Sequence, residues 1–249
     1  MHPEPGHRAL LDTRTYPELT ADDGDPLRGL RRVAEAAGAA LAPTRPWGDW
    51  DAAQDVLAVA MDSDRGTCVL SFERHRHVVE ARFTRPWIGN AARGAVAGLP
   101  EAVEMLDAWH GRLPLAEMGR RWPGLDVLPF AVALEEGRAV PHRWEEVRAL
   151  PADAIDGRLV EAAYAAPRLR ALFPIVSHAA LTFSDTPLPP HSDAFPQATP
   201  HGEHGWLVGS LREPASAHTV VTGAEEAVAH LVRLLPDAGS GRPPARTDG

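Results

Sequence analysis

The chain contains no lysine: all 25 of its basic residues are arginine. Schiff-base catalysis, covalent attachment of pyridoxal phosphate and a phosphate-loop lysine are thereby excluded. Cys68 is the only cysteine, so no intrachain disulfide can form, which fits a reducing cytoplasm. Positive charge is short as well. With 34 acidic residues the formal net charge is −9, which argues against nucleic acid and against an anionic membrane as partners. No apolar run approaches membrane-spanning length. The stretch from His2 to Glu18 has no apolar core and carries Pro3, Pro5 and Pro17, so no signal peptide is expected and the expected location is the cytoplasm.

What is present suffices for a sizeable core. The chain has 249 residues, 44% of them apolar, enough for one large domain or two small ones. Residues 1–25 are polar and Pro-rich and are expected to be poorly ordered. Asp25-Pro26 then reads as an N-cap followed by proline at the first helical position, with Leu27, Leu30, Val33, Ala34, Ala37 and Leu41 at helical spacing. Trp47 and Trp50 sit in a Pro-Gly loop, where capping of the domain is the expected role. Val56–Met61, Cys68–Phe72 and Val78–Phe83 read as a three-stranded meander, followed by a helix from Pro100 to His110. Residues 113–175 read as short helices broken by proline. Leu181–Ser184, Trp206–Leu211 and His218–Val221 read as three more strands, and Thr222 as the cap of a final helix ending near Leu235. The expected fold is α+β: two small antiparallel-sheet lobes, each of about three strands plus a helix, at 26–112 and 176–237. A helical middle at 113–175 joins them, and a disordered tail follows at 238–249.

Four places in the chain resemble an actinobacterial family of unknown function whose members are labelled natural-product biosynthesis proteins. They are Trp109 with Met118-Gly-Arg-Arg-Trp-Pro123, then His142-Arg-Trp-Glu145, then Ala162–Ser184 with its Leu-Phe-Pro-x-x-Ser-His and Leu-x-Phe-Ser, and finally Glu225–Pro236. The low isoleucine, single asparagine and abundant alanine, glycine and proline are those of a GC-rich genome. The resemblance implies genomic company with biosynthetic genes and supplies no catalytic residues.

Several groups could carry chemistry. Ser177-His178 is the only Ser-His dipeptide. His178 is the candidate general base, but adjacent side chains of an extended segment point apart, and no glycine flanks Ser177 as a nucleophile elbow requires. The alternative is a polar hinge between the helical middle and the second lobe. Tyr164, Arg168, Arg170 and Ser177 are the candidate ligand-binding residues, with the arginines suited to a carboxylate or phosphate or to capping a helix end. His191, Asp193, His201, Glu203 and His204 share a Pro-rich loop, and His191, Asp193, His201 and His204 are the candidate ligands if a metal binds, zinc being the fitting ion. No other cofactor is expected. His75 and His77 read as solvated turn residues. Glu135-Glu136 and Glu145-Glu146 read as solvated helix faces, because neighbours on a helix diverge by about 100°.

These features lead to an accessory protein of a specialised-metabolite pathway that binds a small molecule or a partner enzyme near Tyr164, Arg168, Arg170, Ser177 and His178. An enzyme acting on a pathway intermediate through His178 is one alternative. A cytoplasmic immunity or interaction protein is another.

Overall fold

In the computed structural model, residues 10–39, 41, 44–46, 56–202, 205–210 and 212–236 are described. Trp47, Trp50, His204 and the expected tail at 238–249 lie outside the described residues. The chain divides into two compact units, Met1–Glu135 and Glu136–Gly249. Each is built on one antiparallel sheet with helices, so the fold is α+β with two sheet lobes.

In the first unit, Asp25 accepts from the backbone N–H groups of Leu27 and Arg28, and Pro26 opens helix α1 (Pro26–Ala37). The sheet is a six-stranded meander: β1 (Thr44–Pro46), β2 (Val56–Ser63), β3 (Gly66–Glu73), β4 (Val79–Arg85), β5 (Gly89–Val96) and β6 (Leu125–Val127). Helices α2 (Leu99–His110), α3 (Leu115–Arg121) and α4 (Pro129–Glu135) complete the unit. Leu30, Met61, Leu70, Phe72, Phe83, Leu99, Leu106 and Trp109 belong to its core. Three expected strands have become six. The sequence of β5, Gly-Asn-Ala-Ala-Arg-Gly-Ala-Val, has almost no strand propensity, and it is held by pairing with β4 on one side and β6 on the other. Gly94 within it passes the backbone of Gly124 so closely that a Cβ would collide with that carbonyl.

Residues 10–25, expected to be poorly ordered, are folded. Leu11, Tyr16 and Leu19 are buried, and Pro17–Asp22 forms a 3-10 turn. The reason is Tyr16, which is fully buried, with its ring edge-on to Phe72. Its hydroxyl lies 2.6 Å from the carbonyl of Glu73, 2.8 Å from that of Arg76 and 2.9 Å from that of Val78, and accepts from Val78 N–H at 3.3 Å. His77, read as a solvated turn residue, is exposed and also contacts this segment: Nε2 is 2.8 Å from Glu18 and the ring packs on Tyr16.

Glu135, by contrast, is not a solvated side chain. Arg65 stacks on the Trp109 ring and bonds Glu135 at 2.7 Å, Arg85 reaches the same oxygen at 3.2 Å, and the other carboxylate oxygen accepts from Leu115 N–H. Its sequence neighbour Glu136 belongs to the second unit and pairs with Arg138. The helical stretch expected at 113–175 is thus divided between the two units, not a body of its own.

The second unit carries α5 (Ala139–Arg148), α6 (Gly157–Ala165), α7 (Pro167–Arg170) and α8 (Ala224–Leu234). Its sheet is a five-stranded meander: β7 (Phe173–Ser177), β8 (Ala180–Ser184), β9 (Pro196–His201), β10 (Gly205–Ser210) and β11 (Thr219–Val221). Helices α6 and α8 pack on each other and contribute Leu159, Val160, Ala163, Ala227, Val228 and Leu231 to a core shared with Leu181, Phe183, Ala198, Trp206 and Val208. Thr222 is not the cap of the last helix: Gly223 holds that position and no side chain bonds there. No helix among the described residues is long and apolar enough to cross a membrane.

Burial raises the Tyr16 phenol above its ordinary value and pushes the Cys68 thiol up in the same direction. A raised folded-state pKa contributes stability that is complete below the unfolded value and is lost as pH rises through the folded one. Tyr16→Phe is therefore expected to cost the first unit about 1–3 kcal/mol at neutral pH, the range for a lost buried hydrogen-bond hub. It should also flatten, without abolishing, the loss of stability above about pH 10, where an unfolded tyrosine ionises. Urea unfolding at several pH values, followed by hydrogen exchange of β3 and β4, measures both; an unchanged midpoint would refute the hub.

Candidate functional site

The second unit gathers most of the residues singled out from the sequence, but not at one place. Ser177 and His178 are exposed at the tip of the β7–β8 hairpin rather than at a hinge. Ser177 pairs with Ala180, leaving a two-residue loop in which His178 has φ 50° and Ala179 has φ 61°. Positive φ at both loop positions is the type I′ geometry, which matches strand twist and normally uses Asn-Gly. Because the segment turns rather than extends, the two side chains meet: Ser177 Oγ is 3.0 Å from His178 Nδ1. The sequence argument that they diverge fails here, since it assumed an extended backbone. No bond to His178 Nε2 occurs among the described residues, so the pair has no third group to orient it.

Tyr164, Arg168 and Arg170 stand at the other end of β7. That strand rises about 3.3 Å per residue, so its length separates them from His178. They do not form one groove with the hairpin tip. Tyr164 packs edge-on to Trp144, whose indole N–H reaches the carbonyls of Arg170 and Leu172 at 3.1 Å. The guanidinium groups of Arg148 and Arg170 lie over the Tyr164 ring at 4.3 and 5.7 Å. Arg148 is held by both oxygens of Glu161, which keeps that carboxyl below its ordinary value. Arg168 donates to the Val232 carbonyl at 3.2 Å in the last turn of α8, the helix-capping role. Neither Arg168 nor Arg170 has an ion-pair partner among the described residues, and Arg170, which caps no helix end there, is the freer of the two to take an anion.

The candidate metal ligands are also dispersed. His191 Nδ1 lies 3.2 Å from the buried Ser184 Oγ and its ring stacks on Phe173. Asp193 is bound by Arg212 at 2.7 Å. His201 is exposed at the opposite end of the sheet, where β9 turns towards β10. Among the described residues no three His, Cys, Asp or Glu side chains come together as a metal ion requires. The zinc candidate therefore finds no assembled ligand set there.

The arrangement that sequence reasoning missed is the open face of the second sheet. The five strands β7–β11 contain no Asp, Glu or Arg, in a chain of which 24% is charged. Cross-strand partners point to the same side of a sheet, and alternate residues to opposite sides. Leu181, Phe183, Ala198, Trp206, Val208 and Val221 face the helices and are buried. The other side carries Ile175, Thr182 and Gln197 in one row and Thr199, Leu207 and Val220 in the next. These side chains are half-buried, and Val220 is 54% exposed. One end of the face is closed by the loop from Ser184 to Phe195, through His191 on Phe173 and Ser184. His218 closes Gly209, where a Cβ would strike the imidazole; its Nε2 donates to the Ser210 carbonyl at 3.0 Å. The signal was present as strands without a charged residue, but β7 and β9 contain prolines and did not read as strands.

Such a lobe is defined by its architecture: a five-stranded antiparallel meander with helices on one face and a neutral open face on the other. Residues 138–243 match a Family of unknown function (DUF6193), a span that nearly coincides with the second unit. Three of the four stretches on which the family resemblance was read lie inside it, and the Trp109–Pro123 stretch lies outside. No curated protein and no solved structure matches the chain.

Two outcomes follow. Residues 136–249 expressed alone should fold cooperatively, with the Trp144 and Trp206 fluorescence of a buried environment; a molten or insoluble fragment would contradict an independent core. Replacing His178-Ala179 by Asn-Gly should raise the stability of the lobe by about 1 kcal/mol, because each L-residue at positive φ costs about 1–2 kcal/mol and glycine returns part of the gain as unfolded-state entropy. Thermal melting of the double variant measures it; a lower midpoint would count against strain at the tip.

Proposed function

We propose that this chain is a non-catalytic accessory protein of an actinobacterial specialised-metabolite pathway. On this reading it binds a neutral small molecule or an uncharged surface of a partner enzyme on the open face of its second sheet. The observation that carries the reading is the composition of that face: half-buried Ile175, Thr182, Gln197, Thr199 and Leu207 on strands without one charged residue. A solvent-facing sheet side ordinarily carries charge, and one that does not has the character of an interface centre, where charged residues are depleted. Threonine and glutamine supply hydrogen-bonding groups for orientation. The pathway and the actinobacterial origin rest on the resemblance of His142–Glu145, Ala162–Ser184 and Glu225–Pro236 to a family with that label. Arg170 over Tyr164 offers a separate hold for an anionic group.

The enzyme alternative has one specific observation, the 3.0 Å contact between Ser177 Oγ and His178 Nδ1. It is weaker. Both residues are exposed at a loop tip, so water is not excluded, and no third residue orients the imidazole.

Deletion of the gene should change the metabolite output of its host, and the wild-type gene should restore it. Leu207→Arg, which adds a charge to the half-buried centre of the face, should give a folded protein that restores output at least tenfold less well. His178→Ala should complement fully. Full complementation by Leu207→Arg would overturn the binding-face reading, and failure of His178→Ala alone would favour the enzyme.

A further inference from the structure

A sheet has two edges as well as two faces, and an unpaired edge is a template for another strand. In the first sheet one edge is β1, whose three residues include Arg45 and Pro46, and proline has no N–H to donate. The other edge is β6, which lies along α3 and presents the exposed charge of Asp126. In the second sheet β7 runs beside α5; Pro174 removes a donor, and its carbonyl accepts from Arg143 Nε at 3.3 Å. Three edges therefore carry the devices that natural sheets use against strand addition: proline, charge and a covering helix.

Among the described residues the fourth edge, β11, has none of these three; its only protection is its length of three residues. Its residues Thr219, Val220 and Val221 carry neither charge nor proline, and β-branched side chains favour pairing. Thr219 and Val220 are exposed, Val220 at 54%. Among the described residues the backbone of Thr219–Val221 bonds only into the β10 ladder.

We propose that β11 is a dimerisation edge and that its occupant is β11 of a second copy of this chain, added antiparallel about a two-fold axis through Val220. Sequence symmetry and charge select that occupant. Pairing about Val220 sets Val220 opposite its own copy and Thr219 opposite Val221, so every cross-strand pair is β-branched. Two chains of formal charge −9 repel each other across most surfaces, whereas this edge brings no carboxylate against its copy. The joined sheets would have ten strands, and the two neutral faces would become one continuous surface. The proposal goes beyond the binding reading, and neither depends on the other. A three-residue strand pair is small, so the dimer is of the weak, reversible class that buries less than about 1,200 Å².

Sedimentation equilibrium of the full chain from about 10 to about 500 μM covers the range in which such small contacts dissociate. The weight-average mass should climb from 26.8 kDa towards twice that value. Val220→Arg sets two arginines against each other at the axis and should hold the protein monomeric throughout, whereas Val220→Ile should dimerise as the wild type does. Thr219→Arg is the second disruptive variant should the first fold poorly, and a circular dichroism melt of each checks the fold. A wild-type chain that stays monomeric to the highest concentration overturns the proposal. So does a dimer that survives both arginine variants, since its interface would lie elsewhere. The complementation result for Leu207→Arg reads the binding face and leaves the mass measurement unaffected.

Discussion

The packing of α6 and α8 onto one side of the β7–β11 sheet is the contact on which the second lobe depends. Trp206, Phe183, Val208 and Leu181 meet Leu159, Val160, Val228 and Leu231 there. Burying each such side chain is worth about 1.5–3 kcal/mol, which places most of the lobe's cohesive energy on that side. Among the described residues no helix contributes a second core on the opposite side. Alternation then sends every second strand residue outward, and the fold itself is indifferent to whether those residues are charged. That they are Ile, Thr, Gln and Leu, with no Asp, Glu or Arg, is therefore a property folding does not require.

The first lobe is closed by a different kind of contact. Its core is apolar, but two polar hubs set where its chain segments lie. Tyr16 fixes the N-terminal segment against the β3–β4 connection through three carbonyls within 2.9 Å. Glu135 gathers Arg65, Arg85 and the Leu115 N–H. Breaking a buried pair strands a desolvated charge, so such hubs specify position more than they add stability. Neither is local in sequence. Tyr16 lies 57 residues from its first partner and Arg65 lies 70 from Glu135, so composition and periodicity could not reveal them.

What could be read in the sequence was what is encoded locally. The Asp25-Pro26 helix start, the β2–β4 meander, the sequence of short helices and the two-lobed α+β class rest on caps, turns and apolar periodicity within a few residues. The strands that escaped have their conformation imposed by neighbours. Strand β5 is rich in glycine and alanine, β9 begins at Pro196 and contains Pro200, and β7 contains Pro174. Each violates strand propensity and is rescued by a ladder on at least one side. The site suffered from the same blindness. Without β7 and β9 the second sheet has three strands, its open face cannot be drawn, and the histidines of the Pro-rich loop appear adjacent. In the fold His191 and His201 fall at opposite ends of that sheet.

The β7–β8 tip is where local chemistry and global fold disagree most clearly. A two-residue hairpin loop with positive φ at both positions asks for Asn-Gly, and the chain places His178-Ala179 there. A tight hairpin is required, because β7 must reverse into β8 to complete the floor of the face, and Ser177 pairs directly with Ala180. Histidine is not required for the turn and makes it costlier. The hydrogen bond between Ser177 Oγ and Nδ1 offsets part of that cost by fixing the ring at the tip. Strain retained at an exposed position, where a less strained pair would fold better, is evidence for a demand other than folding. The imidazole stands at the rim of the neutral face with Nε2 directed to no partner in the described chain. On the binding reading we propose, the imidazole serves as a polar contact at the border of the docked surface, a role that uses its position and needs no proton transfer.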